Sequence, residues 1–120
     1  YTLDKSITVK EYADLVKNTF EIPRVRIISE NIEKNIRKIA VVKGSGMCYW
    51  RKVKSLGADL FITGDIGYHE ALDAKESGMS LIDIGHFESE TCFTKLLKKV
   101  LEDLKLEVII YNDGPVFISY

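Results

Sequence analysis

Residues 58–91 read ADLFITGDIGYHEALDAKESGMSLIDIGHFESET, and this stretch holds both histidines and four of the eight glycines. Residues 60–63 and 80–84 are short apolar runs typical of buried strands, and each is followed by a glycine. The stretch therefore predicts a strand, a helix, a second strand and the start of a longer helix. Because open α/β sheets hold ligands at the carboxyl ends of their strands, we expect any chemistry here.

Composition and charge indicate an ordinary globular chain. The 120 residues are 46% hydrophobic and 29% charged, and the formal net charge is −1. A chain so close to neutrality has no bulk electrostatic attraction for nucleic acid or for an anionic membrane. No apolar run approaches the ~20 residues of a membrane span. Residues 1–120 are predicted to form one α/β domain.

The cysteines and the first residues bear on location and on the length of the protein. Cys48 and Cys92 do not form a disulfide framework, and we interpret them as reduced thiols of a cytoplasmic protein. No signal peptide is visible. The chain opens Tyr1-Thr2-Leu3 without an initiator methionine. We therefore expect a processed chain, or the C-terminal portion of a longer protein.

Hydrophobic spacing predicts alternating helices and strands along the chain. A capping box, Thr8-Val9-Lys10-Glu11, precedes a predicted helix over 9–19. Further helices are predicted from the turn at 44–46 to about 55, over 66–77 and over 86–104, and strands over 25–28, 38–42, 60–63, 80–84, 106–111 and 116–119. The last helix carries an apolar stripe that we expect to face inward. From residue 38 onward the order predicts an α/β fold, a mostly parallel or mixed sheet flanked by helices on both faces.

His86 and Glu90 form the sharpest candidate site. Their i, i+4 spacing at the start of a predicted helix places an imidazole and a carboxylate on one face, where both can bind one cation. The helix N-terminus favours anions, so we expect Glu90 to be ionised and His86 to be neutral, the metal-binding form of imidazole. The alternative is a capping turn with a surface ion pair.

Asp65 and His69 are weaker candidates for a catalytic role. Asp65 follows a buried strand and Gly64. Three roles are open to it: to bind metal, to hold a histidine ligand in place, or simply to cap the helix predicted to begin at residue 66. His69 lies four residues before Asp73. We interpret that pair as a contact on the helix surface rather than as a second metal site.

Gly44-Ser45-Gly46 lies between a predicted strand and a predicted helix, so its backbone N–H groups could hold a phosphate. It lacks both the full Gly-x-Gly-x-x-Gly pattern and the lysine of a Walker A loop, and a tight turn is the simpler interpretation. Cys48 lies in the next helical turn, where a thiolate would be stabilised, but no histidine base is near it in sequence.

Four segments together resemble a known family. They are VVKGSG at 41–46, ADLFITGD at 58–65, YHEA at 68–71 and GHFESE at 85–90. In combination they are similar to the C-terminal half of the GTP cyclohydrolase 1 type 2 homologues, which are also called NIF-three-like proteins. The similarity spans nearly the whole chain.

The resemblance implies an α/β fold of two similar halves that bind two divalent metal ions in the cleft between them. The family's terminal His-x-x-x-Glu falls on His86 and Glu90, which would be two of the metal ligands. The other ligands would come from a histidine pair and an aspartate in the N-terminal half, and this chain contains no adjacent histidines. Members commonly form ring-shaped hexamers. Zinc, iron, manganese and nickel all suit imidazole with carboxylate.

Three functional hypotheses are consistent with these residues. In the first, the parent protein is a metal-dependent hydrolase that opens a ring of a GTP-like purine nucleotide, with Asp65 or His69 moving protons or orienting ligands. In the second, it is a metal-dependent binding or scaffold protein without turnover. In the third, which we favour for this chain itself, the 120 residues are a folded but inactive half.

Overall fold

The structure is a computed structural model, and it describes residues 1–117. In chain order its elements are β1 (Thr2–Thr8), α1 (Val9–Phe20), β2 (Arg26–Ile28), β3 (Asn35–Ser45), a 3₁₀ turn (Met47–Tyr49), α2 (Trp50–Ser55), β4 (Leu60–Gly64), α3 (Tyr68–Glu76), β5 (Ser80–Asp83) and α4 (His86–Asp103). The predicted α/β class is confirmed.

The five strands form one mixed sheet in the order β1-β3-β4-β5-β2. The three central strands are parallel, with Ile39 beside Leu60 and Ile62 beside Ile82. The two edge strands, β1 and β2, run antiparallel to their neighbours. Because the central strands are parallel, their carboxyl ends meet at one end of the sheet, where open sheets of this kind bind ligands.

Two apolar cores hold helices against both faces of the sheet. Side chains alternate along β4, so Leu60 and Ile62 face α1 while Phe61 faces α2 and α3. The buried helix residues in these cores are Val9, Ala13 and Val16 of α1 and Trp50, Val53 and Ala74 of α2 and α3. The predicted arrangement, with helices on both faces, is therefore confirmed.

The first strand is absent from the sequence-based prediction. Thr2–Thr8 reads TLDKSIT, which has too little apolar alternation to indicate a strand. This segment is a strand because it pairs with β3. The Tyr1 amino group, directly before β1, also donates a hydrogen bond of 2.9 Å to the Ile39 carbonyl. Pairing with β1 also accounts for the early start of β3 at Asn35, ahead of the predicted residue 38.

The strand predicted over 106–111 is wrong. Residues 106–117 belong to no helix or strand. A run rich in β-branched side chains becomes a strand only beside another strand that takes up its backbone hydrogen bonds, and none of the described residues does so. Residues 116 and 117 are not strand either, and the rest of the strand predicted over 116–119 lies outside the described residues. The turn at 112–115 holds a 2.9 Å hydrogen bond from Gly114 N to Asn112 Oδ1.

The inward-facing stripe predicted for α4 is also wrong. Within the described part of the chain, Phe93 is 49% exposed, Leu97 41% and Leu104 66%. Only Ser89 of α4 is buried. Neither α4 nor any other helix among residues 1–117 combines the length and apolarity needed to cross a membrane.

Replacing Thr8 with alanine is expected to lower the free energy of unfolding by about 1 kcal/mol. Thr8 Oγ1 accepts a hydrogen bond from Glu11 N at 3.1 Å, and the Glu11 carboxylate accepts one from Thr8 N at 2.7 Å. Alanine leaves the Glu11 N–H without its cap. Urea unfolding measures the loss, with Thr94→Ala on exposed α4 as the control. Equal losses in the two variants would contradict the capping role.

Candidate metal centre

The candidate site lies where the three parallel strands end. Gly44 is near the end of β3, Asp65 directly follows β4, and His86 is the first residue of α4, which follows β5. Glu90 lies one helical turn after His86. Strand pairing therefore brings together segments that are far apart in sequence, as the sheet topology requires.

A short hydrogen bond joins Asp65 to His86. Asp65 Oδ2 and His86 Nδ1 are 2.6 Å apart. Asp65 has a φ of +55°, in the left-handed region that aspartate enters more readily than most residues. Its alternative role as a helix cap is wrong, because α3 begins later, after Gly67, and has no side-chain cap. Of the roles predicted for Asp65, holding a histidine in place is the one that this geometry matches.

The second ring nitrogen of His86 faces Glu90. His86 Nε2 and Glu90 Oε2 are 3.5 Å apart, so the i, i+4 spacing does place the two side chains together. Lys43, which the sequence did not indicate, has its Nζ 3.2 Å from Glu90 Oε1 and 5.5 Å from the centre of the Phe93 ring. The imidazole thus lies between two carboxylates, and a lysine ammonium neutralises one of them.

Two buried hydroxyl groups fix the β3 turn beside the site. Ser89 Oγ accepts a hydrogen bond from Gly44 N at 2.7 Å and donates one to the His86 carbonyl at 2.7 Å. Thr63 Oγ1 accepts a hydrogen bond from Gly46 N at 2.8 Å. These contacts occupy two backbone N–H groups of the Gly44-Ser45-Gly46 turn, so the structure favours a tight turn over a phosphate cradle.

Gly44 keeps the space beside His86 and Glu90 open. A Cβ at this position would lie 3.2 Å from Glu90 Oε1 and 3.3 Å from His86 Nε2. The φ of +61° at Gly44 also disfavours any L side chain. An imidazole nitrogen and a carboxylate oxygen with an open approach fit a divalent transition metal. Two donors are too few, however, and the described residues hold no group of three or more His, Cys, Asp or Glu side chains placed around one point.

A cleft of about 1330 Å³ opens beside these residues. Asp65, His86 and Glu90 line it, together with Arg26 of β2 and the segment around Tyr111. The site therefore borders a space large enough for a ligand, since small-molecule pockets commonly enclose ~300–1,000 Å³.

His69 is not part of this group. Its ring makes an edge-on contact with Tyr68, with 5.6 Å between ring centres. Asp73 pairs with Arg51 at 3.4 Å instead of with His69. Among residues 1–117 the structure gives His69 no hydrogen bond to the Asp65–His86 pair, so its predicted catalytic role has no geometric support.

Comparison with known proteins places the chain in a family. A family model described as Duf34/NIF3 (NGG1p interacting factor 3) matches residues 1–115. The chain belongs to the DUF34/NIF3 family. A Clostridium perfringens relative named GTP cyclohydrolase 1 type 2 homolog is 42% identical over 107 residues, which are 88% of this chain and 40% of the relative. A Staphylococcus epidermidis relative of the same name is 40% identical over 119 residues, 98% of this chain and 31% of the relative.

Solved structures share the DUF34/NIF3 fold. The Staphylococcus aureus protein SA1388 superposes with a TM-score of 0.78 at 33% identity, over 98% of this chain and 36% of that one. A Bacillus cereus protein related to NIF3 gives a TM-score of 0.77 at 29% identity, over 98% and 34% of the two chains. The resemblance inferred from the sequence is confirmed. The chain spans less than half the length of the relatives it matches.

The hydrogen bond that His86 Nδ1 donates to the Asp65 carboxylate raises the pKa of His86 above the ordinary imidazole value of 6.5. Partial desolvation and Lys43 oppose the shift, while the charges of Asp65 and Glu90 add to it. The shift favours protonated His86, which is opposite in direction to the effect that the sequence analysis expected of the helix N-terminus. With its pKa raised on folding, protonated His86 stabilises this DUF34/NIF3 chain below about pH 6.5, and the effect disappears as pH rises through the folded-state pKa.

His86 is expected to titrate at a higher pH in the wild-type chain than in the Asp65→Asn variant. The substitution replaces the charged acceptor of the hydrogen bond that is the largest cause of the raised pKa of His86. Proton NMR of the imidazole Hε1 signals measures this directly, because the chain has only two histidines, and His69→Ala assigns the signals. A midpoint that is unchanged or higher in Asp65→Asn would contradict the assignment of Asp65.

Proposed function

We propose that this chain supplies part of a divalent-metal site in which His86 Nε2 and Glu90 bind the ion. The observation that carries the proposal is the 2.6 Å contact between Asp65 and His86 Nδ1, which leaves the opposite nitrogen facing the Glu90 carboxylate. Histidine ligands commonly give their second nitrogen to a carboxylate in this way, which fixes the tautomer and the ring orientation.

The remaining ligands would come from outside the described residues. Stable transition-metal sites usually have three or four protein ligands, and His86 with Glu90 supplies two. We propose two ions per full-length subunit, completed by a further part of a longer parent protein that assembles as a homo-oligomeric hexamer in the cytoplasm. Zinc, iron, manganese and nickel all match these donors. An ion entering the site would displace Lys43 from Glu90.

The reaction we propose for the parent protein is hydrolytic opening of a ring in a GTP-like purine nucleotide. The support is the name GTP cyclohydrolase 1 type 2 homolog carried by relatives at about 40% identity and the large cleft beside His86 and Glu90. A divalent ion would supply Lewis-acid activation of water. Asp65 would hold His86 in place during the reaction, and the cleft would bind the nucleotide.

A non-catalytic metal-dependent binding or scaffold protein is the second candidate. The exposed apolar side chains of α4 favour it, since contiguous apolar surface commonly marks a protein–protein contact. Under either candidate we expect this chain by itself to be inactive. Turnover of GTP by the 120-residue chain with added Mn²⁺ or Zn²⁺ would contradict that expectation.

Paramagnetic NMR tests the metal proposal. Adding Mn²⁺ to the chain should broaden the imidazole signals of His86 at low metal concentration, while those of His69 stay sharp. His69 is the matched control, because it is an exposed histidine outside the site. Equal broadening of both histidines, or none at millimolar Mn²⁺, would contradict metal binding at His86.

A further inference from the structure

Asp83 is a buried carboxylate at the end of β5, with 4% of its surface exposed. Its Oδ2 accepts a hydrogen bond of 3.2 Å from Ile66 N, and its Oδ1 accepts one of 2.9 Å from Gly85 N. The Arg26 guanidinium donates a third hydrogen bond to Oδ2. A carboxylate this far from water is stable only with such partners, so each contact is needed.

The two backbone partners of Asp83 lie next to the two side chains of the candidate metal centre. Ile66 directly follows Asp65, and Gly85 directly precedes His86. One buried carboxylate therefore ties the loop after β4 to the turn after β5. The hydrogen bond between Asp65 and His86 spans the same two segments.

Arg26 completes the arrangement from β2. Its side chain is 69% exposed, and it also donates a hydrogen bond of 3.1 Å to the Ile66 carbonyl. Arg26 thus neutralises Asp83 and holds the same peptide segment that Asp83 holds. Three strands, β2, β4 and β5, meet at this carboxylate.

We propose that Asp83 is a positioning residue for the candidate metal centre: by holding the N–H groups of Ile66 and Gly85, it sets the hydrogen bond between Asp65 and His86 and so directs His86 Nε2 toward Glu90. The proposal rests on the proposed metal function only for its effect on metal affinity. Its effect on the His86 ring holds whether or not a metal binds.

Asp83→Asn tests the proposal at constant side-chain size. The Ile66 and Gly85 N–H groups donate to different oxygens of Asp83, and asparagine replaces one of these oxygens with an NH₂ donor, so one of the two N–H groups loses its acceptor. Nitrogen-15 NMR of the neutral imidazoles at alkaline pH measures the tautomer of His86, with His69 as the internal reference. Ser80→Ala is the matched control, because it removes another buried polar group from β5, one that contacts Ser29 at 2.9 Å and not the site.

In the wild-type chain we expect the tautomer protonated at His86 Nδ1 to dominate. Asp83→Asn should shift His86 toward the tautomer mixture of His69 and should weaken Mn²⁺ binding about tenfold, while Ser80→Ala changes neither. An unchanged His86 tautomer in folded Asp83→Asn would overturn the proposal. A shifted tautomer in a chain that binds no Mn²⁺ even as wild type would support the positioning role and contradict metal binding at His86 in this chain.

Amide hydrogen exchange of the wild-type chain keeps the proposal testable if Asp83→Asn does not fold. The Ile66 and Gly85 amides should exchange slowly, because both donate to a buried carboxylate. Exchange of both amides at the rate of unprotected exposed amides would overturn the positioning role. A double-mutant cycle adds a second measure, since Asp65→Asn and Asp83→Asn should weaken Mn²⁺ binding less than additively if they act through one hydrogen bond.

Discussion

Replacing His86 with alanine is expected to weaken Mn²⁺ binding by this chain at least about 100-fold. The imidazole is one of only two donors that the described residues direct to one point, and its Nε2 lies 3.5 Å from Glu90 Oε2. Loss of a hydrogen-bond partner behind a ligand already weakens metal binding ~10–100-fold, so loss of the ligand itself should cost at least the upper limit. Isothermal titration calorimetry measures the Mn²⁺ affinity, and elemental analysis after gel filtration measures the Mn²⁺ that remains bound. Mn²⁺ suits carboxylate ligands and binds thiolates poorly, which limits interference from Cys48 and Cys92.

His69→Ala is the control for the His86 substitution. It removes the chain's other histidine, which is exposed and contacts Tyr68 rather than the site. Metal affinity should be unchanged in His69→Ala, and thermal unfolding should confirm that both variants remain folded. Equal losses of affinity in the two variants would show that Mn²⁺ binds histidines on this surface without regard to the Asp65–His86 geometry.

Replacing Gly64 with alanine is expected to destabilise the fold by about 2–3 kcal/mol, a loss typical of an overpacked site. A Cβ at position 64 would lie 2.7 Å from the Gly85 carbonyl carbon and oxygen and 2.8 Å from His86 N. All three are backbone atoms, so the clash cannot be relieved by rotating a side chain. The end of β4 and the start of α4 must move apart, which should also lengthen the contact between Asp65 and His86. Urea denaturation measures the stability, and the His86 tautomer reports the displacement.

Gly67→Ala is the matched control for Gly64→Ala. Gly67 has an ordinary extended backbone, and the nearest atom to an added Cβ is the flexible Glu70 carboxylate oxygen at 3.3 Å. Its alanine variant should lose less than about 1 kcal/mol, as expected for a modest change at a helix N-cap. A Gly64→Ala loss as small as that of Gly67→Ala would mean that the strand end and α4 are not tightly packed.

Part of the candidate site was visible in the sequence and part was not. The i, i+4 spacing of His86 and Glu90 predicted their proximity, because helix geometry is local. The quoted motifs were enough to indicate the family. Lys43 and Ser89 gave no signal, since each acts across the sheet on a partner more than forty residues away. The only sign of Asp83 was its position as a charged residue in an otherwise apolar run. The metal-binding roles of His86 and Glu90 stay predictions.

The local structure of the chain follows from short-range sequence patterns. The Thr8–Glu11 capping box and the apolar runs of β4 and β5 depend on neighbouring residues, and the structure contains all of them. Three features depend on long-range packing instead: Thr2–Thr8 is a strand, residues 106–111 are not a strand, and the apolar side chains of α4 remain exposed. These features cannot be read locally, because a strand needs a hydrogen-bonding partner strand and an apolar helix face is buried only against another surface. Which distant segment supplies that partner strand or covering surface depends on how the whole chain packs.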